Sequence, residues 1–367
     1  MKSVYFYPHR YLRDRQIDVI RSWPPEAVEN PEIAQGRTGA QVSRKSALAG
    51  KKRRSWKQVV PLVNLKRRPA GLSPETPVYV WGGLIASGPF IVEIDNPYSL
   101  VGYNLRAISV WRWLIRRILL SSRCLQIRCM SEACRRNLQA LLGDEVYDKA
   151  EVRYPSVGIQ AREEDRSDRE ECRFLFIGTQ FDIKGGRALV NAFRRLVKRR
   201  PQVHLDMVTY VTDSIRKELE GVENLTLHEP GMSREELMET LYPASDVLIH
   251  PTYVDSFGLV VLEAVAAGLP VIATDVYAIR EMVKDGYNGC LLPPPLSVWD
   301  GVLPSKYFYD VRNIKAHIDR LDTSTFEHDL ELVMERLASS AELRAKMSAS
   351  SLSLFREQLK VLSPVAM

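Results

Sequence analysis

The clearest hydrophobic pattern lies in the second half of the chain. Phe174-Leu175-Phe176-Ile177 is a continuous apolar run ended by Gly178, which fits a strand buried on both faces. Apolar positions then recur at helical spacing over residues 188–197. Lys198-Arg199-Arg200 follow at the end of that helix, where cations suit the dipole, and Pro201 is the stop. Residues 203–208 read as the next strand, 235–242 as a helix, 247–249 as a strand, 257–267 as a helix and 271–273 as a strand. Strands alternating with helices over short connections predict a parallel, doubly wound sheet. The first half is less regular. Val4-Tyr5-Phe6-Tyr7, Val78-Tyr79-Val80-Trp81 and Phe90-Ile91-Val92-Glu93-Ile94 are strand candidates, and residues 30–58 read as a polar loop carrying Lys51-Lys52-Arg53-Arg54. A solvated loop is the simpler account of that basic run.

Between the halves, residues 159–171 (Ile-Gln-Ala-Arg-Glu-Glu-Asp-Arg-Ser-Asp-Arg-Glu-Glu) are dense in charge and almost empty of large apolar side chains. Such a segment buries too little surface to offset its ordering entropy, so it reads as an interdomain linker, with a solvated helix face as the alternative. The expected organisation is therefore an N-terminal domain over residues 1–158, a linker over 159–171, a second domain over 172–340 and a C-terminal helical segment over 341–367.

Composition agrees with this plan. A chain of 367 residues, 45% hydrophobic and 26% charged, is long enough for two domains and excludes disordered, collagenous and disulfide-stapled classes. Five cysteines, an odd number in a long chain, point to a reducing compartment. No apolar run reaches the ~18–20 residues of a membrane span, and the first ten residues have no apolar leader core, so the expectation is a cytoplasmic protein. Charge is uneven: residues 1–157 carry 26 Lys+Arg against 13 Asp+Glu, whereas residues 158–367 carry 25 against 32. The basic half should attract phosphates, anionic lipid or nucleic acid. No known nucleic-acid motif supports the last of these.

Candidate chemistry concentrates in residues 250–270. Asp255 and Ser256 are helix N-cap types, Gly258 permits close backbone approach, and Gly268 with Pro270 closes the helix. A strand, loop and helix at the carboxyl edge of a parallel sheet present free N–H groups and a positive dipole end, which suit a phosphate or a sugar hydroxyl. Glu263, inside that helix, could accept both hydroxyls of a ribose; a structural buried Glu is the alternative and would need a partner. Cys124, Cys129 and Cys134 are five apart, match no zinc pattern and read as buried thiols.

This stretch resembles the retaining glycosyltransferases of family 4, whose hallmark Glu-x7-Glu is present here as Asp255-x7-Glu263. Pro251-Thr252, Phe257-Gly258-Leu259, residues 268–274 and Asp285-Gly286-Tyr287-Asn288-Gly289 are similar to the surrounding family pattern, and Gly178 through Lys184-Gly185-Gly186 resembles its phosphate loop. The likeness spans residues 150–350. It implies an α/β fold of GT-B type: two facing doubly wound, Rossmann-like domains, with the C-terminal helix of residues 342–359 partly crossing back to the first. It also implies transfer of a sugar from a nucleotide diphosphate to an acceptor hydroxyl with retention, in glycan, polysaccharide or glycolipid synthesis.

Carried over residue by residue, the resemblance makes Lys184 the partner of the donor diphosphate, beside Gly178 and Thr179. Asp255 contacts the donor sugar or the face where charge develops. Ser256 and the backbone N–H groups of Phe257, Gly258 and Leu259 hold hydroxyls and phosphate, and Glu263 holds the ribose. No cofactor or metal is implied, since a helix dipole and Lys184 would act on the leaving group. In the first half, Asp95 in Ile94-Asp95-Asn96-Pro97 is a candidate for orienting the acceptor, with a turn-forming role as the alternative. Residues 111–120, aromatic and basic, could lie at an anionic bilayer near a lipid-linked acceptor, or could show Trp111, Leu114, Ile115 and Ile118 to the core.

Three departures from the family pattern stand out. Thr179 replaces an Arg, Asp255 is one methylene shorter than Glu, and Tyr277-Ala278 replaces a Gly-Gly, which should narrow the crevice. The first two motivate a second reading, a sugar-nucleotide-binding partner subunit with impaired catalysis.

Overall fold

The computed structural model describes residues 3–7, 12–35, 61–157, 171–228, 232–309 and 313–359. Residues 51–54, the linker of 159–170 and the segment of 360–367 lie outside the described residues. The described residues divide into two compact units, one up to Ser156 and the other from Val157.

The first unit is built on a five-stranded parallel sheet whose spatial order follows the chain: β1 (Tyr5–Phe6), β2 (Val78–Trp81), β3 (Phe90–Ile94), β4 (Cys124–Cys129) and β5 (Ala150–Val152). The three strands expected from apolar runs are all present. Helix α1 (Asp14–Arg21) packs through Ile17, Val19 and Ile20 against Phe6, Tyr79 and Trp81. Helix α2 (Leu105–Leu120) turns Ala107, Ile108, Ile115, Ile118 and Leu119 inward. The core-stripe reading holds in part: Ile115 and Ile118 are buried and Leu114 is half-buried, while Val110 and Trp113 face outward at 53% and 60% exposure. Trp111 is half-buried, its indole N–H donating to the Pro61 carbonyl at 2.6 Å. Helix α3 (Glu132–Leu142) starts at an N-cap Ser131 that accepts from the Cys134 N–H.

The second unit carries a six-stranded parallel sheet: β6 (Cys172–Gly178), β7 (Val203–Thr209), β8 (Leu225–His228), β9 (Val247–His250), β10 (Val271–Thr274) and β11 (Gly289–Leu292). Their spatial order is β8-β7-β6-β9-β10-β11. The chain leaves β6 toward one edge and returns beside it as β9, so the connections after β6 and β9 diverge from one point at the carboxyl ends of the strands. In an open parallel sheet that is where a ligand crevice forms.

Helix α4 (Gly186–Arg199) buries Leu189, Phe193, Leu196 and Val197 on one face. Its other face is tied to α6 (Ser324–Ala338) by Arg195 and Arg199, which both reach Glu331. Helix α5 (Leu259–Ala266) is apolar on nearly every side and almost wholly buried, as its sequence requires. It is held against α7 (Ala341–Leu354), whose Ser351 hydroxyl donates to the Leu269 carbonyl at 2.8 Å. All five cysteines are buried free thiols.

Candidate active site

Two loops meet at the point where the strand order reverses. The loop after β6 reaches Gly185, whose φ of +77° lies in the left-handed region. A Cβ there would overlap the Pro251 carbonyl oxygen, so glycine is required both by conformation and by the close approach of the second loop. The Tyr253 N–H donates to the Ile183 carbonyl at 3.0 Å, which completes the seam. The loop after β9 is further fixed by Thr274, whose hydroxyl donates to the Thr252 carbonyl at 2.5 Å. On the remaining side, the Trp299 indole N–H donates to the Asp255 carbonyl at 3.0 Å.

This framework brings Lys184, Asp255 and His250 together. Lys184 Nζ donates to Asp255 Oδ2 at 2.8 Å and to the Val254 carbonyl at 3.0 Å. His250 Nε2 lies 3.0 Å from the same Oδ2. Burial alone would raise the Asp255 pKa, but the Lys184 charge, with the His250 hydrogen bond, holds it well below the usual carboxylate range. Burial lowers the His250 pKa, and the hydrogen bond and charge of Asp255 offset this only in part. A neutral imidazole beside an acceptor-only carboxylate assigns the ring proton to Nε2. That leaves Nδ1 buried with no hydrogen-bond partner.

The loop geometry corrects two expectations. Asp255 and Ser256 do not cap α5. Asp255 Oδ1 instead accepts from the Ser256 and Phe257 N–H groups, at 2.9 and 3.2 Å, and the N-cap position falls on Gly258 with no side-chain bond. The Phe257 N–H is therefore committed to Asp255, while the N–H groups of Gly258 and Leu259 stand at the open end of the helix. Gly258, at φ +88°, would overlap Ile279 if it carried a Cβ. Second, Tyr277 does not line an open crevice. It adopts the left-handed conformation (φ +49°) that glycine would take, and its ring is buried against Trp299 with centroids 4.1 Å apart.

The remaining candidates sit in three places. Thr179 is exposed just beyond the end of β6. Gly178 lies beneath Lys184, since a Cβ there would come within 3.0 Å of that side chain. Glu263, one turn into α5 and 8% exposed, is not part of the Lys184–Asp255–His250 set. Its carboxylate accepts from Arg234 Nε and from the Tyr242 hydroxyl, both at 2.9 Å. The partner that a buried Glu needs is thus present, and burial with the Glu263 charge pushes the Tyr242 phenol well up. Asp95 belongs to the first unit, at the end of β3, where its Oδ1 accepts from the Asn96 N–H at 2.9 Å in the turn that opens residues 97–101.

His250, Arg234 and Trp299 were missed as site residues. The local signal for His250 was its place, the last residue of a buried strand at the reversal point. Trp299 reaches the site across 44 residues of sequence and gave none.

Comparison with known proteins points one way. Residues 171–299 match the family model described as Glycosyl transferases group 1. The D-inositol 3-phosphate glycosyltransferase of Paenarthrobacter aurescens is 32% identical over 162 residues, 40% of each chain. That of Corynebacterium jeikeium is 32% identical over 188 residues, 48% of this chain and 40% of its own. The chain thus spans about two fifths of the length of these curated relatives. Among solved structures, Anabaena Alr3699/HepE in complex with UDP and glucose superimposes with a TM-score of 0.55 at 14% identity, covering 98% of this chain and 96% of that one. WaaG, a glycosyltransferase involved in lipopolysaccharide biosynthesis, gives 0.55 at 15% identity over 98% and 97%. The fold is of GT-B type, and the stretch similar to the group 1 glycosyltransferase model lies within the second unit.

Proposed function

We propose that this protein is a retaining glycosyltransferase of the family 4 kind, moving a sugar from a nucleotide diphosphate to an acceptor hydroxyl in glycan, polysaccharide or glycolipid synthesis. The observation that carries the reading is the Lys184–Asp255–His250 cluster at the strand-order reversal of a group 1 domain. Lys184 meets the diphosphate as a point charge, exchanging Asp255 for phosphate oxygens. Gly258 and Leu259 offer N–H groups where the α5 dipole favours negative charge, and this stabilises the departing diphosphate without a metal. Asp255, held as a carboxylate, faces the sugar on which positive charge develops. Neutral His250 fixes its orientation from behind. Glu263, already aligned by Arg234 and Tyr242, keeps lone pairs for the ribose hydroxyls.

The acceptor side is carried by the basic first unit. The outward face of α2 sets Val110 and Trp113 among exposed Arg106, Arg112 and Arg117, a surface suited to peripheral contact with anionic lipid at the inner face of the membrane and to a lipid-linked acceptor. No helix among the described residues is long and apolar enough to cross a membrane. Sedimentation with anionic against zwitterionic vesicles checks this contact, and loss of binding in a Val110→Ser/Trp113→Ser double variant is the expected result.

One observation favours the reading of a binding subunit with impaired catalysis: Lys184 is engaged by Asp255, and Thr179 stands where a second cation would share the diphosphate. Turnover of labelled nucleotide sugars separates the two. An active enzyme consumes one donor, and Asp255→Asn lowers kcat by at least ~100-fold with donor affinity little changed. Donor binding with no transfer or hydrolysis in the wild type would select the second reading.

A further inference from the structure

The first unit holds a cavity of about 70 Å³ between the end of α1 and the sheet, with Trp23, Tyr79, Glu93 and Arg128 in its wall and Arg153 and Ser156 at its rim. Arg128 is 5% exposed. Its Nε donates to Gln126 at 2.9 Å, and its guanidinium carbon lies 5.5 Å from the ring centres of both Trp23 and Tyr79. Its Nη2 is buried with no hydrogen-bond partner, and so is the indole N–H of Trp23.

The charges do not close either. Arg128 stands beside Glu93 in the strand register, yet Glu93 is bonded to Arg15 and to the Tyr79 hydroxyl. Among the described residues Arg128 makes no ion pair; it lies within hydrogen-bonding range of the Tyr79 hydroxyl, which carries no negative charge of its own. Two guanidinium groups thus share one carboxylate in a nearly water-free setting. Arginine keeps its charge when buried, and a buried charge without a carboxylate of its own is unfavourable. One negative charge with lone pairs aimed at Nη2 and at the Trp23 N–H would satisfy both orphaned donors.

We propose that this cavity is a binding site for a small oxyanion, the phosphate or carboxylate group of a small ligand. The volume admits one such group or a few waters. The Arg128 fork takes two oxygens in the geometry that guanidinium groups favour, and the Trp23 N–H takes a third. Arg153 and Ser156, both part-exposed, leave an entrance from solvent. The site lies within the first unit and does not depend on the sugar-transfer reading.

Thermal unfolding of the full chain, in phosphate, acetate and chloride at matched ionic strength, tests the assignment. Phosphate should raise Tm saturably where chloride does not; a comparable rise with acetate would mark a carboxylate site and its absence a phosphoryl site. The rise should persist in Lys184→Met, which removes the cation of the second unit's site, and adding Arg128→Gln to that variant should abolish it. Should Arg128→Gln fail to fold, Trp23→Phe removes one donor from the same site, and the apparent Kd for the anion should rise about fivefold. The proposal is overturned by equal Tm values in all three salts, by an unaltered response when Arg128→Gln or Trp23→Phe is added to Lys184→Met, or by a response lost in Lys184→Met alone.

Discussion

Removing the Asp255 carboxylate probes the site through stability before any substrate is known. In Asp255→Asn the Lys184 ammonium loses its counter-charge at 2.8 Å while remaining 20% exposed, and Asp255 itself is 16% exposed in the wild type. Exposed ion pairs contribute ~0.2–1 kcal/mol, and breaking a fully buried one costs ~3–5 kcal/mol. This pair is closer to the buried limit, though Lys184 can swing toward solvent. A double-mutant cycle of Asp255→Asn and Lys184→Met should therefore give a coupling of about 2 kcal/mol. For a unit of this size that corresponds to roughly 4–8 °C in Tm. Urea and thermal unfolding of the four proteins by circular dichroism measures it. The sign with pH is fixed as well. A carboxyl whose folded pKa is depressed stabilises the fold above its ordinary pKa of ~3.9 and loses that contribution as pH falls further. The gap between wild type and Asp255→Asn should therefore shrink below pH ~4. A coupling below ~0.5 kcal/mol at pH 7, or a gap that widens in acid, would refute the reasoning.

Three further predictions concern the surrounding residues. His250, held neutral by burial, resists a proton that the unfolded chain accepts, so its contribution is complete above pH ~6.5 and lost below it; in His250→Gln the slope of stability between pH 5 and 6.5 should flatten, and an unchanged slope would clear His250 of this role. Gly258→Ala must carry a Cβ at φ +88° into Ile279 and should cost ~2 kcal/mol or more, read as a fall in the urea midpoint. Glu263→Gln keeps the shape of the side chain but loses the carboxylate; a nucleotide sugar at 100 times its Kd, which stabilises the wild type by ~2.7 kcal/mol, should shift the variant far less. An equal shift would remove Glu263 from the ribose.

Legibility followed the physics of burial. Strands β6, β7, β9 and β10 are buried on both faces, so their apolar runs stood out from the sequence alone. Strand β4 did not, because Arg128 and Gln126 interrupt its run, and Arg128 is buried for reasons a hydropathy pattern cannot convey. Strand β8 is an edge strand of alternating Leu and polar residues, half-buried except for the exposed Thr226, and β11 follows a turn that absorbed its first glycine. In the site, the loop residues were legible as types but not as pairings. Asp255 read as a helix cap, whereas a turn made by its own Oδ1 frees Oδ2 for Lys184. The Tyr277–Trp299 stack, which braces that turn, joins residues whose proximity only the tertiary fold creates.

The central claim, that Lys184 and its neighbours grip an activated nucleotide, is tested most directly by calorimetric titration of wild type and Lys184→Met with UDP, GDP and ADP. One diphosphate should bind the wild type, and its Kd should rise at least tenfold in the variant. Equal affinities in the two proteins, or no binding of any of the three, would contradict it.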